Sequence, residues 1–587
     1  MAAFHSPASR RNLHLASPRL LPALLFVALG CGESAPPAKV AKTAPDPETA
    51  VNPPVAASPA STGKPAPAKP PAENVAQPAK PAKKPAPLEI PAFTPVELAS
   101  RIDAIFDTYW KAEGVVPAAP ATDEEFLRRA FLDLTGKIPS AAEARDFLDD
   151  KSAAKRGDLV ARLLKNARFA NHFAATLRDA LIPGAITNPQ FAGLVPPFEA
   201  WLRLRLADGV PYHKLVEEML TAPVSADQPV VPGMRGRQPG PEAFALVHEN
   251  KPEELAGSAA RALLGVQVQC AQCHDHPFAE WKQEQFWSFA TMFAAGTTSS
   301  SLLVSTANAD LSLPIPEKNK KASARFLDGT PPEVSGADTL SRRNALVKWL
   351  VGPNPFFAKA AANRLWFHFT GRGIVHPVDD MRPENAGQPA EALELLAQQF
   401  RASGYDLKFL AEAIARSKPY GLSSRQSDKT QAEPVFFAKA QIRGMTPEQM
   451  FASLQRAGRP AAARPAADGD IAELFGNTER AQFLRMFSEP GERTGARGSL
   501  LQALHLMNGA AMASAVDPKS GAALRAALES PFLDDAQRLE TLFLGTLSRR
   551  PTAAESKEFG EHVKAGAQAW SEVFWTLLNC SEFSVVP

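Results

Sequence analysis

Three helix-start signatures lie within about fifty residues of one another, and they commit the folded part of this chain to helix. Thr94-Pro95-Val96-Glu97, Thr122 with Glu125, and Ser140 with Glu143 each set a hydroxyl three positions before a glutamate. In that spacing each side chain can accept a hydrogen bond from the other residue's backbone amide, so two otherwise orphaned donors are satisfied at once. Pro95 stands at the first helical position, where its missing N–H costs nothing. Behind the first signature Val96, Ile102, Ile105, Phe106 and Tyr109 recur at helical spacing. Behind the second, residues 126–134 run until Gly136, which is placed to end the helix, and the third carries Ala144, Phe147 and Leu148. Alternating apolar runs are nearly absent, so the expected fold class is mainly α.

At 587 residues the chain has room for more than one domain. Its 54 prolines and 35 glycines are unevenly spread. Residues 32–91 are dominated by Pro, Ala and Lys, as in Pro67-Ala68-Lys69-Pro70-Pro71. Such a segment buries no core and favours extended polyproline geometry, reaching on the order of 150 Å when drawn out, so a disordered tether is expected. After it come helices expected over 198–206, 212–220 and 252–264. A polar stretch at 301–335, holding Lys318, Lys320 and Lys321, reads as an interdomain linker. Further helices are expected near 339–349, 358–369, 390–402, 500–507, 536–547 and 567–578, with Thr446-Pro447-Glu448-Gln449 capping another. The organisation is therefore two helical domains, 92–300 and 336–587, behind a linker.

The first 31 residues carry an address. Arg10, Arg11 and Arg19 precede an apolar run over 20–29, which ends Ala28-Leu29-Gly30-Cys31. A charged start, a short apolar centre and a small-residue end make a secretory signal, and the run is too short for a stable membrane span. The cysteine after Gly30 resembles a bacterial lipobox, which implies lipidation at Cys31 and attachment to a membrane surface facing the periplasm. Gly32, where an aspartate would signal retention at the inner membrane, points to the outer membrane. A net charge of +2 gives no reason to expect nucleic acid as a partner.

Cys270-Ala271-Gln272-Cys273-His274 uses two of only four cysteines. Two thiols two residues apart, followed by an imidazole, are what covalent attachment of a c-type haem requires. In that reading Cys270 and Cys273 form the thioethers and His274 is the proximal iron ligand. His276 is too close in sequence to reach the opposite face, so it and Asp275 are expected to hydrogen-bond around the ligating ring. Candidates for the distal position are His248, Met292, His368 and His376; an open position would suit ligand sensing, a filled one electron transfer. The same residues allow two other readings, a zinc site through Cys270, Cys273, His274 and His276, or a structural disulfide with no metal. Phe278, Trp281, Phe286, Trp287, Phe289, Met292 and Phe293 follow closely and read as core before they read as a porphyrin wall.

These motifs resemble a known family pair. Residues 128–136, Arg-Arg-Ala-Phe-Leu-Asp-Leu-Thr-Gly, followed by Ile138-Pro139 and by Cys270-Ala271-Gln272-Cys273-His274-Asp275-His276-Pro277-Phe278, resemble the PSCyt-type domain, a cytochrome-c-associated domain of unknown function abundant in planctomycetes. Asn354-Pro355-Phe356-Phe357, Asn363-Arg364-Leu365-Trp366, Gly371-Arg372-Gly373-Ile374-Val375, Pro377-Val378-Asp379-Asp380 and Arg549-Arg550-Pro551-Thr552 resemble its habitual partner, the PSD-type domain of unknown function. The resemblance assigns 92–300 to the first and 336–587 to the second. It implies a cytochrome-like role and no established activity; a haem protein of this kind would take a redox or envelope protein as partner. Cys580 stands where that family more often has serine, so a buried lone thiol is expected there.

In the second segment His368, His376, Asp379 and Asp380 fall within thirteen positions around Gly371-Arg372-Gly373. Imidazoles and carboxylates so spaced could hold a cation or exchange protons, or Asp379 could simply pair with Arg364. No GxSxG, Walker-type loop or HExxH occurs, so the common hydrolase and nucleotide mechanisms lack support, and an envelope enzyme or binding scaffold stands only as the alternative to a haem protein.

Overall fold

The computed structural model describes residues 92–224, 240–277, 279–294, 312–334, 339–352, 354–458, 478–487, 507 and 509–587. The leader with Cys31, the tether, Phe278 and all but the last residue of the helix expected over 500–507 lie outside them. Within them the chain is mainly helical, and the strands are two antiparallel pairs, Leu313–Pro314 with Lys321–Ala322 and Arg443–Gly444 with Val585–Val586.

Local chemistry sets the helix starts as the sequence requires. Helix α1 (Pro95–Glu113) opens on the Thr94–Glu97 box and buries Leu98, Ile102, Phe106 and Trp110, one side chain per turn. Each is no more than 1% exposed, and each burial contributes about 1.5–3 kcal/mol. Helix α2 (Asp123–Thr135) starts at Thr122 and ends on Gly136, at φ 70°. A Cβ at Gly136 would come within 2.6 Å of His172 Nδ1, so position 136 needs glycine for both backbone and space. Helix α3 (Ala141–Asp149) opens on the Ser140–Glu143 box, and Pro447–Ala457 opens on Thr446–Gln449.

Helix α2 is buried on every side from Phe126 to Thr135, which places it at the centre of the body. Its charged residues therefore work as internal ties. Arg128 donates through Nη1 to Thr546 O (2.9 Å), through Nη2 to Phe583 O (2.6 Å) and through Nε to Val585 O (3.2 Å). Arg129 donates through Nε to Pro587 O (2.7 Å) and through Nη1 to Leu422 O (2.8 Å) and Tyr420 O. A guanidinium can satisfy several carbonyls at once because its five N–H groups are held in a rigid fork, which a lysine cannot imitate. Burial pushes Arg128 down to about 10, still charged at neutral pH.

The described residues from 92 on form one compact unit, and the helices before and after the polar stretch share a core. Phe106 of α1 stacks on Trp366 at 5.4 Å between ring centroids, and Trp110 donates to Phe436 O at 2.8 Å. Within that stretch Ile315, Ala322, Phe326 and Leu327 are buried, and Phe326 stacks on Trp349. A second cluster joins Leu132 and Ile138 to Phe543 and Phe574 of the C-terminal helices.

Candidate functional site

The CxxCH loop is delivered by a change of helix type. Pro252–Ala259 is α-helical, Ala260–Leu264 continues as π-helix, and Gly265 ends it at φ 67°. The last carbonyls of a helix have no partner within it. Two of them, Ala262 O and Arg261 O, accept from the guanidinium of Arg364, a residue that sequence spacing had offered as a partner for Asp379. Val266 and Val268 then turn inward while Gln267 is exposed, and Gln269–Gln272 forms a short 3-10 turn. The motif therefore sits past the helix that delivers it, beginning on that turn.

On the turn Ala271 is fully buried and acts as the anchor, whereas Cys270 and Cys273 on either side are exposed, free thiols. His274 and Asp275 are exposed and His276 is half-buried. The His274 ring donates from Nδ1 to Asp275 O at 2.8 Å. A carbonyl can only accept, so Nδ1 carries a proton, and in the neutral ring the lone pair lies on Nε2. Two outward thiols followed by an imidazole in that tautomer fit haem attachment, since an axial histidine binds iron through a neutral nitrogen while its other N–H is held by a carbonyl. Cys270, Cys273 and His274 are the residues that would hold the group. Among the described residues no group of three or more His, Cys, Asp or Glu is placed to hold a metal ion.

Gln283 and its neighbours fix this loop from the buried side. Gln283, at the start of helix Gln283–Ala290, is 3% exposed. Its Nε2 donates to Cys273 O at 2.9 Å, with longer contacts of 3.4 Å to Gln272 O and Pro316 O. Trp287 Nε1 donates to Gln272 O at 2.9 Å, and His276 N donates to Trp281 O at 2.8 Å. The Gln283 backbone amide donates to Asp275 Oδ1 at 2.9 Å. That bond, ahead of Lys282 nearby, holds the Asp275 carboxyl below its ordinary value. Of the aromatic residues behind the motif, Phe286, Phe289 and Phe293 are core, while Trp281 and Trp287 touch the loop.

The proposed distal ligands are engaged elsewhere. His248 donates from Nδ1 to Phe244 O (2.7 Å) and accepts at Nε2 from Ser258 Oγ (2.6 Å). Met292 is fully buried in the core. His368 donates from Nε2 to Asp133 O at 2.8 Å and packs against the rings of His172 and Phe173. His376 stacks on Phe367. The four residues that fell close together in sequence do not converge either. Asp380 takes a two-pronged pair from Arg382 (2.7 and 2.6 Å) and a bond from Asn385. Asp379 accepts from Gln267 Nε2 at 3.2 Å, and Met381 N donates to Gly265 O at 2.8 Å. The 378–381 loop thus braces the segment leading into CxxCH, a link across more than one hundred positions that no sequence signal announced. Cys580 is half-buried, its Sγ donating to Leu577 O, and burial pushes its thiol up.

Fold and site together define a mainly helical protein in which a surface CxxCH loop is braced by a second helical segment and a buried arginine-rich helix ties in the C-terminal strands. Residues 101–298 match the PSCyt2 family model, a protein of unknown function (DUF1549), and residues 342–464 match PSD1, a protein of unknown function (DUF1553). The chain thus carries a PSCyt2 domain followed by a PSD1 domain. No curated protein and no solved structure matches it.

Proposed function

We propose that this protein is an exported, lipid-anchored carrier of a covalently attached c-type haem, serving electron transfer or ligand sensing at the cell envelope. The observation that carries the reading is the His274 ring, whose Nδ1–H is taken by Asp275 O beside two free, outward thiols. When bound, the haem iron supplies a one-electron couple or a place for a small ligand. The chain's own part is to offer two thiols, to engage the Nδ1–H of His274 so that Nε2 is the ring nitrogen turned to the group, and to hold the turn beneath them. Export and lipidation rest on Arg10, Arg11, Arg19, the apolar run over 20–29 and Cys31. No helix among the described residues is long and apolar enough to cross a membrane.

Expression of the full chain with haem-maturation machinery is expected to give a Soret-absorbing band that survives a denaturing gel, with iron by elemental analysis. Cys273→Ala is expected to reduce that covalent chromophore at least about tenfold, because one thioether and the spacing of the pair are lost together. A folded but colourless wild type, or zinc in place of iron, would overturn the reading.

A further inference from the structure

We infer that Gln283 is the positioning residue of the CxxCH loop, setting where His274 emerges relative to the two thiols. The inference rests on the haem-attachment reading for its purpose, but its first measurement does not need haem. The described backbone over 273–277 and 279–282 belongs to no helix or strand ladder, so its polar groups depend on partners outside such ladders. Gln283 supplies the one at Cys273 O. Its side chain donates to Cys273 O at 2.9 Å, with weaker reach to Gln272 O, and its backbone amide donates to Asp275 Oδ1. The carbonyl of Cys273 belongs to the peptide unit that joins the second thiol residue to the imidazole residue. Holding that oxygen fixes the plane of the peptide from which His274 departs. Asp275, held by the same residue, is the one whose carbonyl takes the His274 Nδ1–H. The Gln283 side chain therefore holds the peptide that leads into His274, and the backbone amide of the same residue holds the side chain of Asp275 beside it.

The contact with Pro316 O extends the arrangement to the Leu313–Ala322 hairpin, which packs on the same helix. Trp287 secures Gln272 O independently, so the turn itself keeps its place when Gln283 is changed. Removing the glutamine donor should leave the thiols exposed and present while freeing their orientation relative to His274. Gln283 touches neither thiol nor imidazole directly and so acts through the main chain.

Gln283→Glu keeps the size of the side chain and removes its N–H donors; Gln283→Leu removes polarity altogether. In the full-length protein without haem, backbone amides of 273–276 are expected to exchange hydrogen about tenfold faster in either variant, with core amides of α1 and α2 unchanged. In protein matured with haem, the covalent yield is expected to fall about tenfold, and the pyridine haemochrome of the remainder to shift toward the single-thioether form. A purely structural glutamine would lower the melting temperature without that shift. Unchanged exchange in the loop overturns the inference, as does haem attached in wild-type yield through both thiols. If the wild type takes no haem yet Gln283→Glu loosens 273–276, the positioning role stands and the haem reading falls.

Discussion

Asp133→Ala is expected to destabilise the protein by about 3–5 kcal/mol, the cost of breaking a buried ion pair by deleting one partner. Asp133 is fully buried on α2. Its Oδ2 accepts from Arg443 Nη2 at 2.8 Å and from the Tyr420 hydroxyl at 3.1 Å, and its backbone carbonyl accepts from His368 Nε2. Arg443 is 7% exposed, so without the carboxylate its charge is left inside the protein with no acid beside it. Burial, then the Asp133 carboxylate, pushes the Tyr420 hydroxyl well above its ordinary value, which keeps it protonated as a donor. Asp133→Asn keeps the shape and part of the bonding, and is expected to cost less than the alanine. Chemical denaturation followed by circular dichroism measures both; a loss below about 1 kcal/mol for Asp133→Ala would remove this network from any account of the fold.

The second large effect is in acid. Arg178 is 1% exposed and pairs with Glu199 at 2.7 Å, with Asp179 at 2.7 Å and with Glu448, while Arg480 reaches Glu199 from the other side. Burial alone would raise Glu448, but the charge and hydrogen bond of Arg178 overcome it and hold the carboxyl down at about 2. The folded value lies below the ordinary 4.5. The carboxylate's contribution is therefore complete above the unfolded value and is lost as pH falls toward the folded one. That contribution is about 3 kcal/mol at neutral pH, and its loss is expected between about pH 4.5 and 2. Glu448→Gln is expected to lower stability at pH 7 and to flatten the dependence across that window. A variant whose stability still falls as steeply as the wild type would show that other carboxylates govern acid unfolding.

The helical signatures show how far neighbouring residues can be read. At Thr94, Ser140 and Thr446 the boxes close as written, because both partners lie within one turn and nothing distant competes. At Thr122 only half of the box forms. The hydroxyl accepts from Glu125 N, but the Glu125 carboxylate turns away to Ser423 Oγ at 2.9 Å and to the Ser424 amide. A partner almost three hundred positions downstream displaces the local one, and no window of sequence contains that competitor. His368, His376, Asp379 and Asp380 fail for the same reason in reverse. Their closeness in the chain is real, yet α-helical geometry and the turn at Gly371 send them to Asp133, Phe367, Gln267 and Arg382 respectively.

The candidate site was half legible. Cys270, Cys273 and His274 declare their chemistry by spacing alone, and the resemblance of residues 128–136 and 270–278 names the family pair. Gln283 announces nothing, since a glutamine at a helix start is ordinary until its side chain is found under the carbonyls of the motif. Arg128 and Arg129 were visible as part of a signature, but their work on the C-terminal strands depends on where residues 546–587 come to rest.

By itself, then, the sequence determined the mainly helical class, the helix starts, the glycine at 136 and the thiol–thiol–imidazole order of the motif. These rest on backbone sterics and on groups within a turn of each other. Tertiary structure alone decided that Ala271 faces inward and the thiols outward, that Gln283 and the 378–381 loop brace the motif, and that Asp133 and Arg443 form an ion pair in the core. The physical reason is that burying a polar group forces it to find a partner at any distance along the chain, and only the folded body says which partners are within reach.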